Sequence, residues 1–161
     1  MTKLLDYLAE PETAIVFDID GVLAVYEFGE LSHSACPDDE WESFVREHDP
    51  YGQARPVSQI QRFIQRKGPE RVFACSVAAD YEAAGKRDFV LRCYGIPADH
   101  VRIVSAKPEK LAYLEEVRNS LNLVPERVAL VEDTVGTLNL VYETTDFTTV
   151  HVSSFFAVDD D

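Results

Sequence analysis

Residues 14–24 read AIVFDIDGVLA, an apolar run of four followed by two carboxylates, Asp18 and Asp20, and a glycine, Gly21. A run of apolar residues without polar alternation suits a strand covered on both faces. In an open parallel sheet, ligands bind beyond the carboxyl ends of the strands, which is where both acids fall. If the chain stays extended, residues two apart face the same side, so Asp18 and Asp20 point together, and Gly21 permits a sharp exit. Two carboxylates this close repel each other, which calls for a cation between them or a proton on one. The plainer alternative is that both merely cap the following turn. A calcium loop of the EF-hand type is excluded, because Val22 and Gly29 stand where that pattern needs an oxygen ligand and a glutamate.

Four further apolar, β-branched runs follow at 71–75, 101–104, 128–131 and 147–152, and helical patterns lie between them. At 57–65, Ile60, Phe63 and Ile64 recur at helical spacing before the stop signal Lys67-Gly68-Pro69. The stretch 81–94 ends at Gly95-Ile96-Pro97, and 108–121 opens on Pro108 and repeats Leu111, Leu114, Val117 and Leu121. A shorter helix is predicted at 135–142. Strands alternating with helices predict an α/β fold: a doubly wound, mostly parallel five-stranded Rossmann-like sheet with helices on both faces. With 161 residues, one domain over 1–161 is expected. Residues 24–55 interrupt the pattern as a short insertion or lid after the first strand, with a short helix at 38–47.

Twenty-nine acidic against 15 basic residues give a net charge of −14, which argues against nonspecific wrapping of a nucleic acid. Twelve of the 15 basic residues lie between Arg46 and Lys110, so an anionic ligand is expected to approach the middle of the chain. The terminal Asp159-Asp160-Asp161 reads as a solvated tail. Three cysteines without CxxC spacing suggest free thiols rather than a disulfide framework or a thiolate zinc site. With no long apolar run and no secretory cleavage pattern, a cytoplasmic protein that does not engage a membrane is expected.

Three other strand ends carry polar groups: Ser76 closes RVFACS, Lys107 and Lys110 follow VRIVSA, and Glu132-Asp133-Thr134 closes VALVED. Singly, Ser76 and Asp133 read as helix caps and the lysines as solvated surface. Together, at the carboxyl ends of strands in one sheet, they read as a site.

On these residues, with DIDGVLA as the most specific element, the chain from about Ala14 to Val152 resembles the haloacid dehalogenase superfamily, particularly its phosphatases. The resemblance implies that Asp18 is a nucleophile forming an aspartyl-phosphate and that Asp20 is the general acid and base. It implies that Ser76 binds the transferring phosphoryl group and a lysine neutralises it. Asp133 then completes a Mg²⁺ site with Asp18 and the backbone carbonyl of Asp20. Lys107-Pro108 matches one form of the lysine motif, with Lys107 as a substrate-binding group. Lys110, in the first turn of a helix, matches the other and is preferred as the catalytic lysine. Thr137 and Leu138 stand where many relatives carry a second acid, leaving Glu132 to supplement the metal shell.

The chemistry is consistent with those roles, since a carboxylate attacking a phosphate dianion needs a hard cation and an ammonium at the phosphoryl oxygens. The expected activity is a Mg²⁺-dependent phosphomonoesterase with little or no cap, its insertion being too short for a large helical one. The expected substrate is a phosphorylated small molecule or nucleotide, or a nucleic acid end, with Arg62, Arg66, Lys67, Lys86, Arg87 and Arg92 as assisting cations or, more plainly, as solvated surface. The alternatives are a noncatalytic scaffold on a degenerate version of the fold and, less favoured by the order of its motifs, a phosphoacceptor receiver domain.

Overall fold

The computed structural model describes residues 2–25 and 36–157; the middle of the expected insertion, 26–35, and the acidic tail at Asp159 to Asp161 lie outside them. Five strands form one sheet: β1 (Ala14–Phe17), β2 (Val72–Val77), β3 (Val101–Val104), β4 (Val128–Glu132) and β5 (Thr148–His151). Their order is β3-β2-β1-β4-β5 and every pairing is parallel, so the sheet expected to be mostly parallel is wholly so. The chain runs outward from β1 to β3, then returns to lay β4 on the other side of β1. That reversal opens a crevice at the carboxyl ends of β1 and β4, the usual ligand position in such sheets.

The unbroken apolar runs are explained by cover on both faces. Ile15 and Phe17 of β1, with Ala129 and Val131 of β4, join one buried cluster. Ala14 and Val16, with Val128 and Leu130, join the other. The first face is covered by α1 (Lys3–Ala9), α4 (Ser58–Lys67) and α5 (Asp80–Tyr94). The second is covered by α6 (Glu109–Leu121) and α7 (Val135–Thr144). Each covering helix that sequence periodicity identified is present within a few residues of its expected bounds. Helix α1 was not read from the sequence: its two turns carry only Leu5 and Leu8 as buried anchors, with the Thr2 hydroxyl accepting from Leu5 N–H at 3.3 Å.

The described part of the insertion contains a 3₁₀ turn at Asp38–Glu40, then α2 (Trp41–His48) and α3 (Pro50–Gln53). Helix α3 packs against α5 at Gly85, where a Cβ would lie in van der Waals contact with Tyr51 at 3.4 Å. The end of the insertion is tied down by Tyr94, whose hydroxyl accepts from Val57 N–H at 2.8 Å and donates to the Leu23 carbonyl. Among the described residues no helix is long and apolar enough to cross a membrane.

Tyr94→Phe removes the hydroxyl that joins the loop after β1 to the start of α4, while keeping the ring packed. The expected cost is about 1–2 kcal/mol, the usual value of a buried hydrogen bond whose partners are left under-satisfied. Urea denaturation of the variant beside the parent measures it; an unchanged midpoint contradicts the assignment.

Candidate active site

Register brings the acids together. Phe17 pairs with Val131 across β1 and β4, so Asp18 and Glu132 follow side by side, and Asp18 N–H donates to the Val131 carbonyl at 2.9 Å. Past Asp18 the chain turns tightly, with Leu23 N–H and Ala24 N–H both donating to the Ile19 carbonyl. Ile19, Val22 and Leu23 are buried in the core, which leaves Asp18 and Asp20 facing the crevice. Gly21 has φ +77°, and a Cβ there would collide with an Asp133 carboxylate oxygen, so its conformation and its lack of a side chain are both required.

Lys110, 3% exposed, projects from the first turn of α6 into this cluster. Its ammonium donates to Asp18 Oδ1 at 3.0 Å and to Glu132 Oε2 at 2.7 Å. The other Glu132 oxygen accepts from Asp133 N–H at 3.0 Å and Thr134 N–H at 3.3 Å. Burial disfavours the charge on Glu132, but the Lys110 ammonium and hydrogen bonding with the Asp133, Lys110 and Asp18 side chains outweigh it and hold its carboxyl below the usual range. Asp18 gains less from the shared ammonium, and burial, aided by the neighbouring Glu132 charge, pushes its carboxyl up. Burial also works against charge on Lys110, and the two carboxylates reverse that effect and raise it.

On the other side of the crevice lies a second buried lysine. Lys86, 1% exposed on α5, donates to Asp20 Oδ2 at 2.6 Å and to Ser76 Oγ at 2.8 Å, with Glu82 Oε1 at 3.8 Å. The Tyr51 hydroxyl lies 3.2 Å from both Asp20 Oδ1 and Glu82 Oε1, sharing its single proton between two carboxylates. Burial and those charges push the phenol far above its ordinary value, so it stays a donor. The Tyr51 ring also lies under the Lys86 ammonium, 5.3 Å from its centroid. Glu82 is fixed in turn by accepting from Ala79 N–H at 2.8 Å, which caps the start of α5.

Of the residues singled out in the sequence, Asp18, Asp20, Ser76, Lys110, Glu132 and Asp133 are brought to one crevice. Lys107 remains exposed in the turn before α6, where its carbonyl accepts from Lys110 N–H. Lys86, read from the sequence as an assisting cation or, more plainly, as solvated surface, is buried in the crevice. Its sequence signal was its place on the apolar face that also carries Phe89 and Val90, with Glu82 one turn earlier. Tyr51, at long sequence separation inside an irregular stretch, had no such signal.

Asp18, Glu132 and Asp133 offer oxygens all within 4.8 Å of one another. These three carboxylates face one ammonium, and the excess negative charge on hard oxygen donors fits a divalent cation such as Mg²⁺. Asp18 and Asp133 could hold such an ion more readily than Glu132, both of whose oxygens are already engaged. Thr137 and Leu138 are buried in the first turns of α7, and the Thr137 hydroxyl, 2% exposed as a residue, has no hydrogen-bond partner.

No family model matches the chain, and no curated protein matches its sequence. Its fold is similar to that of a solved HAD family hydrolase from Deinococcus radiodurans R1, determined with bound phosphate and sodium. The TM-score is 0.52 at 14% identity, with 88% of this chain and 80% of that one covered. The chain therefore has a haloacid-dehalogenase-like fold.

Gly21→Ala tests the packing of this crevice. A methyl group strains the positive φ and displaces the Asp133 carboxylate, so the variant should lose at least about 1 kcal/mol of stability. Magnesium titration followed by thermal shift should show weakened binding. Parental stability together with parental Mg²⁺ affinity contradicts the geometry.

Proposed function

We propose that this protein is a Mg²⁺-dependent phosphomonoester hydrolase that works through an aspartyl-phosphate on Asp18. The observation that carries the reading is the division of two acids between two buried ammoniums, with Lys110 on Asp18 and Lys86 on Asp20. Those separate electrostatic settings support a division of labour in which one carboxylate acts as nucleophile and the other as proton carrier. The hydrolase of similar fold, determined with phosphate, supports the same chemistry. Three free cysteines support a reducing, cytoplasmic setting.

In this mechanism Asp18 attacks phosphorus and the bond to the leaving oxygen breaks. Lys110 and Ser76 hold phosphoryl oxygens, so charge developing there meets donors already in place. Asp20 protonates the departing oxygen, then takes a proton from the water that hydrolyses the acyl phosphate. Glu132 keeps Lys110 charged and aimed, and Tyr51 and Lys86 keep Asp20 oriented. Asp18, Asp133 and the Asp20 carbonyl would hold Mg²⁺, which would supply Lewis-acid neutralisation of the phosphoryl group. The missing acid at Thr137 favours a second reading, a noncatalytic phosphate-binding scaffold, and phosphate release with and without Mg²⁺ separates the two.

Asp18→Asn should abolish phosphate release from an aryl phosphate, because the amide removes the nucleophile and a metal ligand; near-parental turnover refutes the role. Asp20→Asn should slow turnover about a hundredfold, the usual worth of a general acid and base. An unchanged rate and pH profile gives Asp20 another task.

Lys110→Ala should lower kcat by about a hundredfold or more, with circular dichroism confirming the fold, while Lys107→Ala stays near parental. A larger defect at Lys107 reverses the assignment. Chelation of Mg²⁺ should stop turnover and its restoration recover it; persistent activity in chelator contradicts the metal requirement.

A further inference from the structure

Resting on the phosphatase reading, we propose that the cavity beside Asp20 is the leaving-group pocket and that it takes a compact, positively charged leaving group, as in an amino-alcohol phosphate. The cavity has a volume of about 210 Å³ and lies between the insertion and the end of β2, lined in part by Asp20, Asp38, Trp41, Tyr51, Glu82 and Lys86. Asp20 is the proton donor to the departing oxygen, so the group attached to that oxygen occupies the space on its side. That volume is below the usual range for drug-sized ligands, which begins at about 300 Å³, and it favours a leaving group of few heavy atoms over a nucleoside.

The charge of the pocket is negative by construction. Three acids line it, Asp38 and Glu82 beside Asp20, the carrier of the transferred proton, and the ammonium among the lining residues, that of Lys86, is engaged by Asp20 and Ser76. Tyr51 directs its proton to Asp20 and Glu82. The next cations are also engaged: Arg46 pairs with Glu42 at 2.6 Å, and Arg92 donates to the Tyr51 and Gly52 carbonyls. Independently of any contact, the insertion 24–55 contains eight Asp or Glu against two basic residues, Arg46 and Arg55. That excess of acid disfavours a nucleotide bisphosphate or a polynucleotide end. The exposed Asp38 carboxylate offers charge to an ammonium, and the Trp41 side chain lines the same cavity.

The test compares kcat/KM, with Mg²⁺, for phosphocholine, its neutral carbon isostere dimethylbutyl phosphate, phosphoglycerate, adenosine monophosphate and a phosphorylated oligonucleotide. Para-nitrophenyl phosphate is the reference for phosphatase activity as such. Phosphocholine should exceed its isostere by about tenfold or more, with the anionic leaving groups below both and the gap narrowing in salt. Asp38→Lys should shift the ranking toward phosphoglycerate. Equal rates for phosphocholine and its isostere, or a preference for the nucleotide or oligonucleotide, while para-nitrophenyl phosphate is hydrolysed, overturn the pocket and leave the phosphatase reading standing. If no ester is hydrolysed, that reading falls, and the pocket is then judged by choline alone. A choline-dependent rise in melting temperature that Asp38→Lys removes supports it, and its absence overturns it.

Discussion

A single ammonium, that of Lys110, holds the crevice together. It comes from α6 and meets one carboxylate from the end of β1 and one from the end of β4. None of the three tolerates its burial alone, because an unpaired charge in such a place costs several kcal/mol. Together they fix where α6 begins and how the ends of the two central strands face each other. They also make the two carboxylates unequal. Glu132 has the shorter contact with the ammonium and two backbone amides besides, so it takes the larger share of the positive field and Asp18 the smaller. Asp18 is thus left as the acid most in need of a further cation, which is the condition a metal-assisted nucleophile has to meet.

Lys86 does for Asp20 what Lys110 does for Asp18, from the other face of the sheet. Its acceptors join β2, α5, the loop after β1 and, through Tyr51, the insertion. The insertion therefore belongs to the site as well as to its cover. Tyr51, on α3 where it packs against α5 beside Gly85, is the residue that reaches Asp20. The outcome is one crevice with two acidic clusters, each gathered about a buried ammonium: Asp18, Glu132 and Asp133 about Lys110, and Asp20 and Glu82 about Lys86.

The architecture was legible in the sequence because a parallel sheet covered on both faces requires unbroken apolar strands, and β1 and β3 match their expected bounds while β2, β4 and β5 shift by a residue or two. The strand-end acids, Ser76 and Lys110 were legible for the same reason, since one sheet gathers all its carboxyl ends. Lys86 was not, because a lysine in mid-helix ordinarily lies in solvent, and only its alignment with Phe89 and Val90 marked it as inward-facing. Tyr51 was invisible, since its contact with Asp20 spans 31 residues and depends on the packing of two short helices. The clustering of basic residues in the middle of the chain misled in one respect. Two of them, Lys86 and Lys110, enter the site, but as partners of its own carboxylates.

The most direct test of Asp18 as a phosphoryl acceptor is the melting temperature with beryllium fluoride and Mg²⁺, since that anion imitates a phosphoryl group bound to a carboxylate. It needs no substrate and no turnover, and a ligand that binds the native state raises the transition by mass action. The account predicts a rise of several degrees that requires both components and disappears in Asp18→Asn and Asp133→Ala. A transition unmoved at saturating beryllium fluoride and Mg²⁺, or moved equally in Asp18→Asn, would contradict it.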